Sequence, residues 1–249
     1  MELQDKVAIV GGASRGIGKA IAKAYGKEGA KVVVVARTNE EGGRLPGTIH
    51  QTVLEIEEAG GEALAVKCDV TEEEDVQALV KTVMDAYGRI DVLVNNAGIT
   101  LRTTIKDTET RRFQLIQRVN ILAPFLLSKY VLPVMEQQKG GSIINISSGA
   151  AGSRNGRGGS PYAITKYGLE QMSIGLAEEE REHNIAVNAL DPGGILTEGV
   201  RATRPDDFDF SGYTPPEAVG PAVVALALKT AETLTGQVVK RAEYGDTWQ

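Results

Sequence analysis

The sequence predicts an α/β protein in which one doubly wound parallel sheet carries helices on both faces. Three observations predict this class: short β-branched runs alternate with longer helical stretches, the run at 31–36 is apolar almost throughout, and a glycine-rich turn follows the first predicted strand. A continuous apolar run is typical of a strand that is buried on both faces. Because open α/β sheets of 249 residues occur as one unit, residues 1–249 are interpreted as a single domain.

The order of the elements follows from these periodicities and from the turn residues between them. β-branched and apolar runs predict six strands, at 6–10, 31–36, 62–68, 91–95, 142–147 and 186–190. Longer stretches predict helices at 16–28, 49–59, 76–87, 109–138 and 216–231, with one more that begins at Ser160.

Two of the helix starts carry capping signals. Thr71 is followed three residues later by Glu74, which predicts a capping box ahead of the helix at 76–87. Ser160 and Pro161 suit the N-cap and first positions of the helix that they open. The loop at 42–47 is interpreted as an excursion, and the glycine-rich stretch 149–159 is expected to lie over the functional site.

Composition excludes several classes of function. The net charge of −6 argues against nucleic acid as a partner, because phosphate binding needs clustered Lys and Arg. The lone cysteine, Cys68, is expected to be a buried strand thiol, and His50 and His183 are expected to be surface side chains, so no metal site is predicted. With no leader and no uninterrupted apolar run of membrane-spanning length, we expect a cytoplasmic protein without a membrane partner.

The first predicted strand runs directly into a glycine-rich loop and then a helix. The loop reads Gly11-Gly12-Ala13-Ser14-Arg15-Gly16-Ile17-Gly18. Glycines let a backbone turn sharply and approach a pyrophosphate, and the helix N-terminus adds free N–H donors. The predicted cofactor-binding residues of this loop are Gly12, Ser14, Arg15, Gly16, Ile17 and Gly18. An isolated match of this kind also fits a glycine turn without a ligand, but its place at the start of a βα chain favours a dinucleotide.

The end of the second strand distinguishes NADP from NAD. An acid there would bind the ribose 2′-hydroxyl and repel a 2′-phosphate. This chain has Ala36-Arg37-Thr38 instead, and Arg15 is a second cation within the glycine loop. Guanidinium groups suit phosphate, so NADP(H) is the expected cofactor, with NAD(H) possible. Two solvated surface arginines are the alternative.

Tyr162 and Lys166 are four residues apart on a predicted helix and therefore face the same way. The pair alone is weak evidence for a chemical role, since it also fits a half-exposed helix face. Ser148, however, lies just beyond the strand at 142–147, at the end of a sheet where α/β proteins bind ligands. The position of Ser148 strengthens the interpretation of Tyr162 and Lys166 as a candidate chemical group.

In combination these motifs resemble the short-chain dehydrogenase/reductase family over residues 5–239. The matching landmarks are Gly12/Gly16/Gly18, Cys68-Asp69-Val70, Asn95-Asn96-Ala97-Gly98, Val119-Asn120, Ser147-Ser148, Tyr162/Lys166 and Asp191-Pro192-Gly193. The segment 44–52, with Ala177-Glu178-Glu179-Glu180, is similar to the hydroxysteroid-dehydrogenase-like and citronellol-dehydrogenase-like subgroup. The resemblance implies a Rossmann-type fold, a small-molecule alcohol or carbonyl substrate, and a homo-oligomer, as a tetramer or dimer.

The resemblance also assigns roles to individual residues. Tyr162 would act as acid and base, and Lys166 would lower the pKa of the Tyr162 phenol and bind the nicotinamide ribose. Ser148 would bind the substrate oxygen, and Asn120 would fix a proton-relaying water. The remaining implied cofactor-binding residues are Asp69 and Val70 at adenine, Asn96, Ala97 and Gly98 beside the fourth strand, and Pro192, Gly193, Ile195 and Thr197 at the nicotinamide.

Two departures from the family pattern and two other functions stay open. Gly11 replaces a common Thr, and the C-terminus lacks the usual Val-Asp-Gly-Gly ending. The alternatives are a reductase of 3-oxoacyl thioesters, which the acidic run 178–182 disfavours, and a non-catalytic nucleotide sensor. The stretch 198–213 is expected to form a substrate lid, in which Phe208, Phe210 and Tyr213 line a pocket or form the core of the loop.

Overall fold

A computed structural model describes residues 1–40, 45–152, 159–205 and 207–249. Its centre is a sheet of seven parallel strands in the order β3-β2-β1-β4-β5-β6-β7, which confirms the predicted doubly wound fold. The strands are β1 Val7–Gly11, β2 Lys31–Ala36, β3 Glu62–Lys67, β4 Val92–Asn95, β5 Gly141–Ile146, β6 Ile185–Asp191 and β7 Val238–Lys240.

Helices cover both faces of the sheet. They are α1 Gly16–Lys27, α2 Ile49–Glu58, α3 Glu73–Tyr87, α4 Thr110–Gln117, α5 Ala123–Gln138, α6 Ser160–Glu179, α7 Glu198–Arg201 and α8 Gly220–Ala227. Apolar side chains of α1, α2 and α8 form one core, and those of α3, α5 and α6 form the second core on the opposite face. The central strands contribute alternate residues to the two cores, as expected for a sheet buried on both sides, whereas the edge strand β7 contributes only Val239.

The strand order reverses beside β1, which pairs with β2 on one side and with β4 on the other. The connections that leave β1 and β4 therefore diverge onto opposite faces of the sheet. A crevice forms between them at the carboxyl ends of the strands, and in this class of fold ligands bind there.

Several predicted element boundaries are wrong. Thr71 does not cap α3, because its hydroxyl donates to Asp69 at 2.8 Å and the helix begins at Glu73 after an N-cap at Glu72. Gly159 is the N-cap of α6, which places Ser160 one position inside the helix. The last predicted helix is a 3₁₀ turn, Pro216–Val219, followed by the shorter α8.

The long predicted helix at 109–138 is interrupted. A π-helical turn, Arg118–Leu122, joins α4 to α5 and contains the buried Asn120. Within the described residues, the combined stretch Thr110–Gln138 has an 18-residue window of mean hydropathy 1.3, of which half is buried in the fold. By length and composition alone it is long enough to cross a membrane, although a buried helix of a globular core passes the same test.

Cys68 follows β3 and is buried, as predicted. Burial, with the nearby carboxylates of Asp75 and Asp69, raises the pKa of its thiol to about 12. His50 and His183 are exposed, as expected. His50 lies 2.7 Å from Asn39, and His183 lies 3.0 Å from Glu180, with a carboxylate oxygen of Glu136 within 4.8 Å.

Candidate active site

A cleft of about 790 Å³ opens at the carboxyl ends of the strands and contains most of the predicted site residues. Of the predicted residues, Gly18 and Asn120 do not line it. Those on its wall are Gly12, Ser14, Arg15, Gly16, Ile17, Arg37, Asp69, Val70, Asn96, Ala97, Gly98, Ser148, Tyr162, Lys166, Pro192, Gly193, Ile195 and Thr197. The cleft also includes Gly149 and Ala150, while 153–158 of the predicted cover lie outside the described residues.

The glycine loop leaves no room for side chains. Gly12 has φ 68°, and a Cβ on it would lie 2.8 Å from the Cα of Ala97. A Cβ on Gly18 would lie 2.3 Å from the carbonyl oxygen of Gly12, so Gly18 holds α1 against the loop instead of lining the cleft. The Asn96 amide donates to the carbonyls of Gly11 and Gly12, at 3.0 and 3.2 Å. This side chain ties the loop to the end of β4.

The N-terminus of α1 meets the chemical needs of a bound phosphate. Arg15 is its N-cap residue, no side chain caps it, and its first turn contains no acid. The first N–H groups of the helix are thus available to an anion, and the helix dipole favours negative charge there. With the bare backbone of Gly12 and Gly16, this end of the cleft fits the pyrophosphate of a dinucleotide.

Two arginines lie at the outer end of the cleft, where the sequence predicts a 2′-phosphate. Arg15 donates to the carbonyls of Pro46 and Gly47, at 2.8 and 3.0 Å, and to the hydroxyl of Thr38 at 3.2 Å. Arg37 is exposed and pairs with Asp69 at 3.3 Å. The guanidinium groups therefore converge on one region, as expected, but each already contacts protein groups.

Asp69 is held by its own turn. Burial alone would raise the pKa of its carboxyl, but hydrogen bonds from the backbone and side chain of Thr71, with the charge of Arg37, outweigh burial and lower the pKa. The carboxylate therefore stays ionised beside Val70, which is buried in the same wall of the cleft.

Ser148, Tyr162 and Lys166 meet at the opposite end of the cleft. Ser148 follows β5, while Tyr162 and Lys166 lie one turn apart on α6. The Lys166 ammonium is buried, donates to the carbonyl of Ile146 at 2.6 Å, and lies 6.0 Å from the centre of the Tyr162 ring. Burial lowers the pKa of Lys166 to about 8, against the opposing charge of Glu170.

The phenol of Tyr162 differs from the expectation drawn for it. Burial raises its pKa, a hydrogen bond with Ser148 lowers it, Asp191 raises it, and Arg102 lowers it again. The net direction is upward, whereas the sequence interpretation expected Lys166 to lower the pKa. Removal of the phenol from water outweighs the favourable neighbours in this structure.

Asn120 lies beside this group but its amide is fully engaged. Its oxygen accepts from the N–H of Ile99 at 2.9 Å, and its nitrogen donates to the carbonyl of Ile99 and the hydroxyl of Thr165, both at 3.0 Å. The π turn directs this side chain inward, and such turns are frequent at functional sites. A water relay through Asn120 stays a prediction.

Glu170 and Arg102 are among the charged residues of the site that were not found from the sequence. Glu170 accepts a hydrogen bond from Ser147, and burial raises the pKa of its carboxyl. Its i+4 spacing from Lys166 was a usable signal. Arg102 lines the cleft and acts on Tyr162, but a single arginine in a loop has no recognisable pattern.

The segment after β6 forms the remaining wall. Gly193 has φ 74° and its N–H donates to Asp191 at 3.0 Å, while Arg241 donates to the carbonyl of Pro192 at 2.8 Å. Arg241 belongs to the C-terminal segment that departs from the family pattern. Thr197 caps α7 by accepting from the N–H of Val200 at 3.2 Å.

The aromatic side chains of the predicted lid pack on one another. Phe208, Phe210 and Tyr213 make edge contacts with centroids 5.0–6.1 Å apart. The Arg204 guanidinium lies 4.3 Å from the Phe208 centroid. Of the three rings, Tyr213 alone lines the cleft, so Phe208 and Phe210 form the core of the loop.

The family model for short chain dehydrogenases matches residues 6–207. A 2-dehydro-3-deoxy-D-gluconate 5-dehydrogenase of Formosa agariphila is 32% identical in an alignment that covers 96% of this chain and 91% of the relative. A 3-oxoacyl-[acyl-carrier-protein] reductase of Synechocystis is 38% identical over 240 residues, 94% of each chain. Hydroxysteroid dehydrogenase-like protein 2 of Xenopus laevis is 36% identical over 92% of this chain. That match spans 54% of the length of the Xenopus protein and confirms the predicted subgroup.

Solved structures agree with these relatives. A metagenomic short-chain oxidoreductase in complex with NADP superposes with a TM-score of 0.80 and 33% identity, covering 96% of this chain and 98% of the other. A hydroxysteroid dehydrogenase from Escherichia coli superposes with a TM-score of 0.82 and 30% identity, covering 96% and 95%. The chain therefore belongs to the short-chain dehydrogenase family and is an oxidoreductase that acts on CH–OH donors.

Proposed function

We propose that the protein interconverts an alcohol, secondary or primary, and the corresponding ketone or aldehyde by hydride transfer with NADP(H). The observation that carries this proposal is the arrangement of the cleft. Its inner end holds Ser148, Tyr162 and Lys166, and its outer end holds the uncapped N-terminus of α1 with Arg15 and Arg37. One extended ligand along the cleft would thus present one end to a proton-transfer group and the other to two guanidinium groups.

NADP(H) is the proposed cofactor because of the charges at the outer end. Arg15, Arg37 and the hydroxyl of Thr38 line it, and the residue that ends β2 is Ala36, not an acid. Asp69 is the carboxylate nearest to Arg37, and the ion pair occupies it. A solved relative binds NADP, which supports the same choice here, and NAD(H) stays possible.

In the proposed mechanism, Tyr162 donates its phenolic proton to the substrate oxygen during reduction and removes it during oxidation. Ser148 donates a hydrogen bond to the same oxygen, where negative charge develops. The buried ammonium of Lys166, held by the Ile146 carbonyl, supplies positive charge beside the phenol and would hold the ribose. A bound nicotinamide supplies or accepts the hydride. The fixed side chains orient the substrate and exchange the proton.

A second candidate is a reductase of 3-oxoacyl thioesters. The 38% identity to the Synechocystis reductase favours it. The exposed acidic residues Glu178, Glu179 and Glu182 at the end of α6 disfavour it, because an acidic acyl carrier needs a basic docking surface. A panel of alcohols, ketones and acyl thioesters, followed by nicotinamide absorbance, tests both functions. Absence of turnover with nucleotide still bound would favour the sensor alternative.

We further propose a homo-oligomer, a tetramer or dimer, in the cytoplasm. Its support is apolar side chains that face outward on neighbouring helices. Phe125 on α5 and Ile164 and Tyr167 on α6 are 50%, 51% and 55% exposed. Exposed groups of large apolar side chains mark association surfaces.

A further inference from the structure

Arg102 stands apart from the other cations of the cleft. It lies in the loop after β4 and lines the same cleft as Thr100, Ser148 and Tyr162. The residue is exposed and lines the cleft, so its guanidinium is accessible to a ligand in the cleft. The same loop lies at the catalytic end of the cleft, since a Cβ on Gly98 would lie 3.7 Å from the Lys166 ammonium, and the charge of Arg102 also acts on the phenol of Tyr162.

The other cations that the described residues contribute to the lining are committed to protein groups. Arg15 donates to two carbonyls and a hydroxyl, Arg37 pairs with Asp69, and Lys166 donates to the Ile146 carbonyl. In the described ranges 1–40, 45–152, 159–205 and 207–249, Arg102 forms no ion pair and no side-chain hydrogen bond. The five donors of its planar guanidinium are thus not used by these residues and are available to a ligand in the cleft.

The carboxylates that line the cleft lie on other parts of its wall. Asp69 is at the outer end with Arg37, and Glu198 lies against Gly16 in the glycine loop. Asp191 ends β6 and accepts from the N–H of Gly193. None of these carboxylates forms an ion pair with Arg102 in the part of the chain that the structure describes.

We infer that Arg102 binds a carboxylate of the substrate, so that the enzyme acts on oxo or hydroxy acids in preference to uncharged ketones and alcohols. A planar guanidinium binds a carboxylate by two parallel hydrogen bonds, which also fixes the orientation of the carbonyl toward Tyr162. The inference rests on the proposed function, since it names the substrate class of the same site. It adds a specificity-determining residue to the three that carry the chemistry.

Matched pairs of substrates test this assignment. The probes are pyruvate, acetoacetate and levulinate, each compared with its methyl ester, so that charge changes while the ketone stays the same. The parent, Arg102→Met and Arg102→Lys are assayed with NADPH for the ratio of kcat/KM between acid and ester. Arg112→Met is the matched control, because Arg112 is an exposed arginine outside the cleft.

The parent is expected to prefer at least one acid over its ester. Arg102→Met should lower that ratio roughly 10- to 100-fold, the range for losing a charge-assisted hydrogen bond. Arg102→Lys should recover part of it, and Arg112→Met should leave the ratio unchanged. Any effect of Arg102 on Tyr162 cancels, because it acts on acid and ester alike. An acid-to-ester ratio that is the same in the parent and in Arg102→Met would overturn the inference.

An equilibrium measurement separates this inference from the proposed function. Calorimetric titration of the three acids into protein with NADP⁺ involves no turnover, since both ligands are oxidised. Binding of an acid that weakens about tenfold or more in Arg102→Met supports the inference. If the parent fails to bind NADP⁺, the proposed function fails, and the acids are titrated without it. If the acids bind neither the parent nor Arg102→Met, or bind both proteins equally well, the inference is overturned.

Discussion

The Arg37 guanidinium lies 3.3 Å from the Asp69 carboxylate and links the end of β2 to the end of β3. Because the Arg37 side chain is 66% exposed, solvent screens the pair, and pairs of this kind contribute only about 0–1 kcal/mol to stability. A phosphate can therefore replace the carboxylate as partner of Arg37 at little cost in free energy. If Arg37 were removed, the Asp69 carboxylate would keep its negative charge without a cationic partner.

The first prediction concerns the cofactor. NADP(H) should have a higher kcat/KM than NAD(H), and Arg37→Asp should lower the value for NADP(H) more than that for NAD(H). The variant would place two carboxylates where the 2′-phosphate is proposed to bind. Steady-state kinetics with both cofactors measure this, with Arg181→Asp as a control for a charge change outside the cleft. Equal or better efficiency of the parent with NAD(H) would contradict the prediction.

The second prediction concerns proton transfer. Tyr162→Phe keeps the ring and removes the hydroxyl, so kcat should fall by ~10²-fold or more while nucleotide affinity changes little. Lys166→Ala should weaken both turnover and nucleotide binding, and Ser148→Ala should lower kcat. Rates and nucleotide affinities measured on the three variants separate these roles. Full activity of Tyr162→Phe would exclude the proposed mechanism.

The third prediction concerns pH. Oxidation needs the phenolate of Tyr162 as base, and reduction needs the neutral phenol as acid. Since the pKa of the phenol is raised, the phenolate fraction below that pKa grows about tenfold per pH unit, and oxidation should accelerate with pH. Reduction should stay level through neutral pH and fall only in alkali.

Neighbouring charges should move these profiles in opposite directions. Arg102→Met removes a charge that lowers the pKa of Tyr162, so the pH at which oxidation accelerates and reduction slows should rise. Asp191→Asn removes a charge that raises the pKa of Tyr162, so this pH should fall. Measuring kcat/KM against pH for oxidation and for reduction checks the direction of each change. A pH dependence that is the same in both variants as in the parent would show that another group titrates.

The fourth prediction concerns Asn120. Replacement by Ala leaves the N–H and carbonyl of Ile99 without partners, which should cost about 1–3 kcal/mol of unfolding free energy. Urea unfolding measures this. Asn120→Asp keeps the acceptor for the Ile99 N–H, but it sets a buried carboxylate oxygen against the Ile99 carbonyl and should destabilise by at least as much. A loss of turnover in either variant under conditions where it stays folded would favour the predicted water relay.

The fifth prediction concerns association. Phe125→Arg should shift the protein toward smaller species in light scattering at micromolar concentration, because a charge would be buried in the proposed interface. Leu54→Arg on α2 is a matched control, since Leu54 is 57% exposed and lies on the opposite face of the sheet. A parent that is monomeric at this concentration would exclude the proposed interface.

Much of the fold could be predicted from sequence because burial leaves a pattern. The bounds of β2 were predicted to the residue, since a strand buried on both faces is apolar along nearly its whole length. The short edge strand Val238–Lys240 was missed, because only its middle residue is buried and three residues show no periodicity. The π turn at Asn120 also leaves no compositional mark, because one inserted residue changes the hydrogen-bond pattern, not the apolar content.

The site was predictable where family motifs contain it. The glycine loop, Tyr162 and Lys166 line one cleft as expected, because their spacing specifies a turn or a helix face. The raised pKa of Tyr162 was not predictable, since burial depends on chain segments that are distant in sequence. The contact from Arg241 to Pro192 depends in the same way on β7, which brings the C-terminal segment back to the cleft.

Chemical modification of Cys68 can report on the state of the cleft. Cys68 is the only thiol, and it lies in the wall of the outer end of the cleft, beside Asp69 and Val70. Because burial raises the pKa of the thiol and only 1% of the residue is exposed, alkylating reagents should react with the native protein very slowly. Its rate of modification therefore measures how often this region opens. A ligand that fills the outer end should slow that rate, which gives occupancy without any assay of turnover.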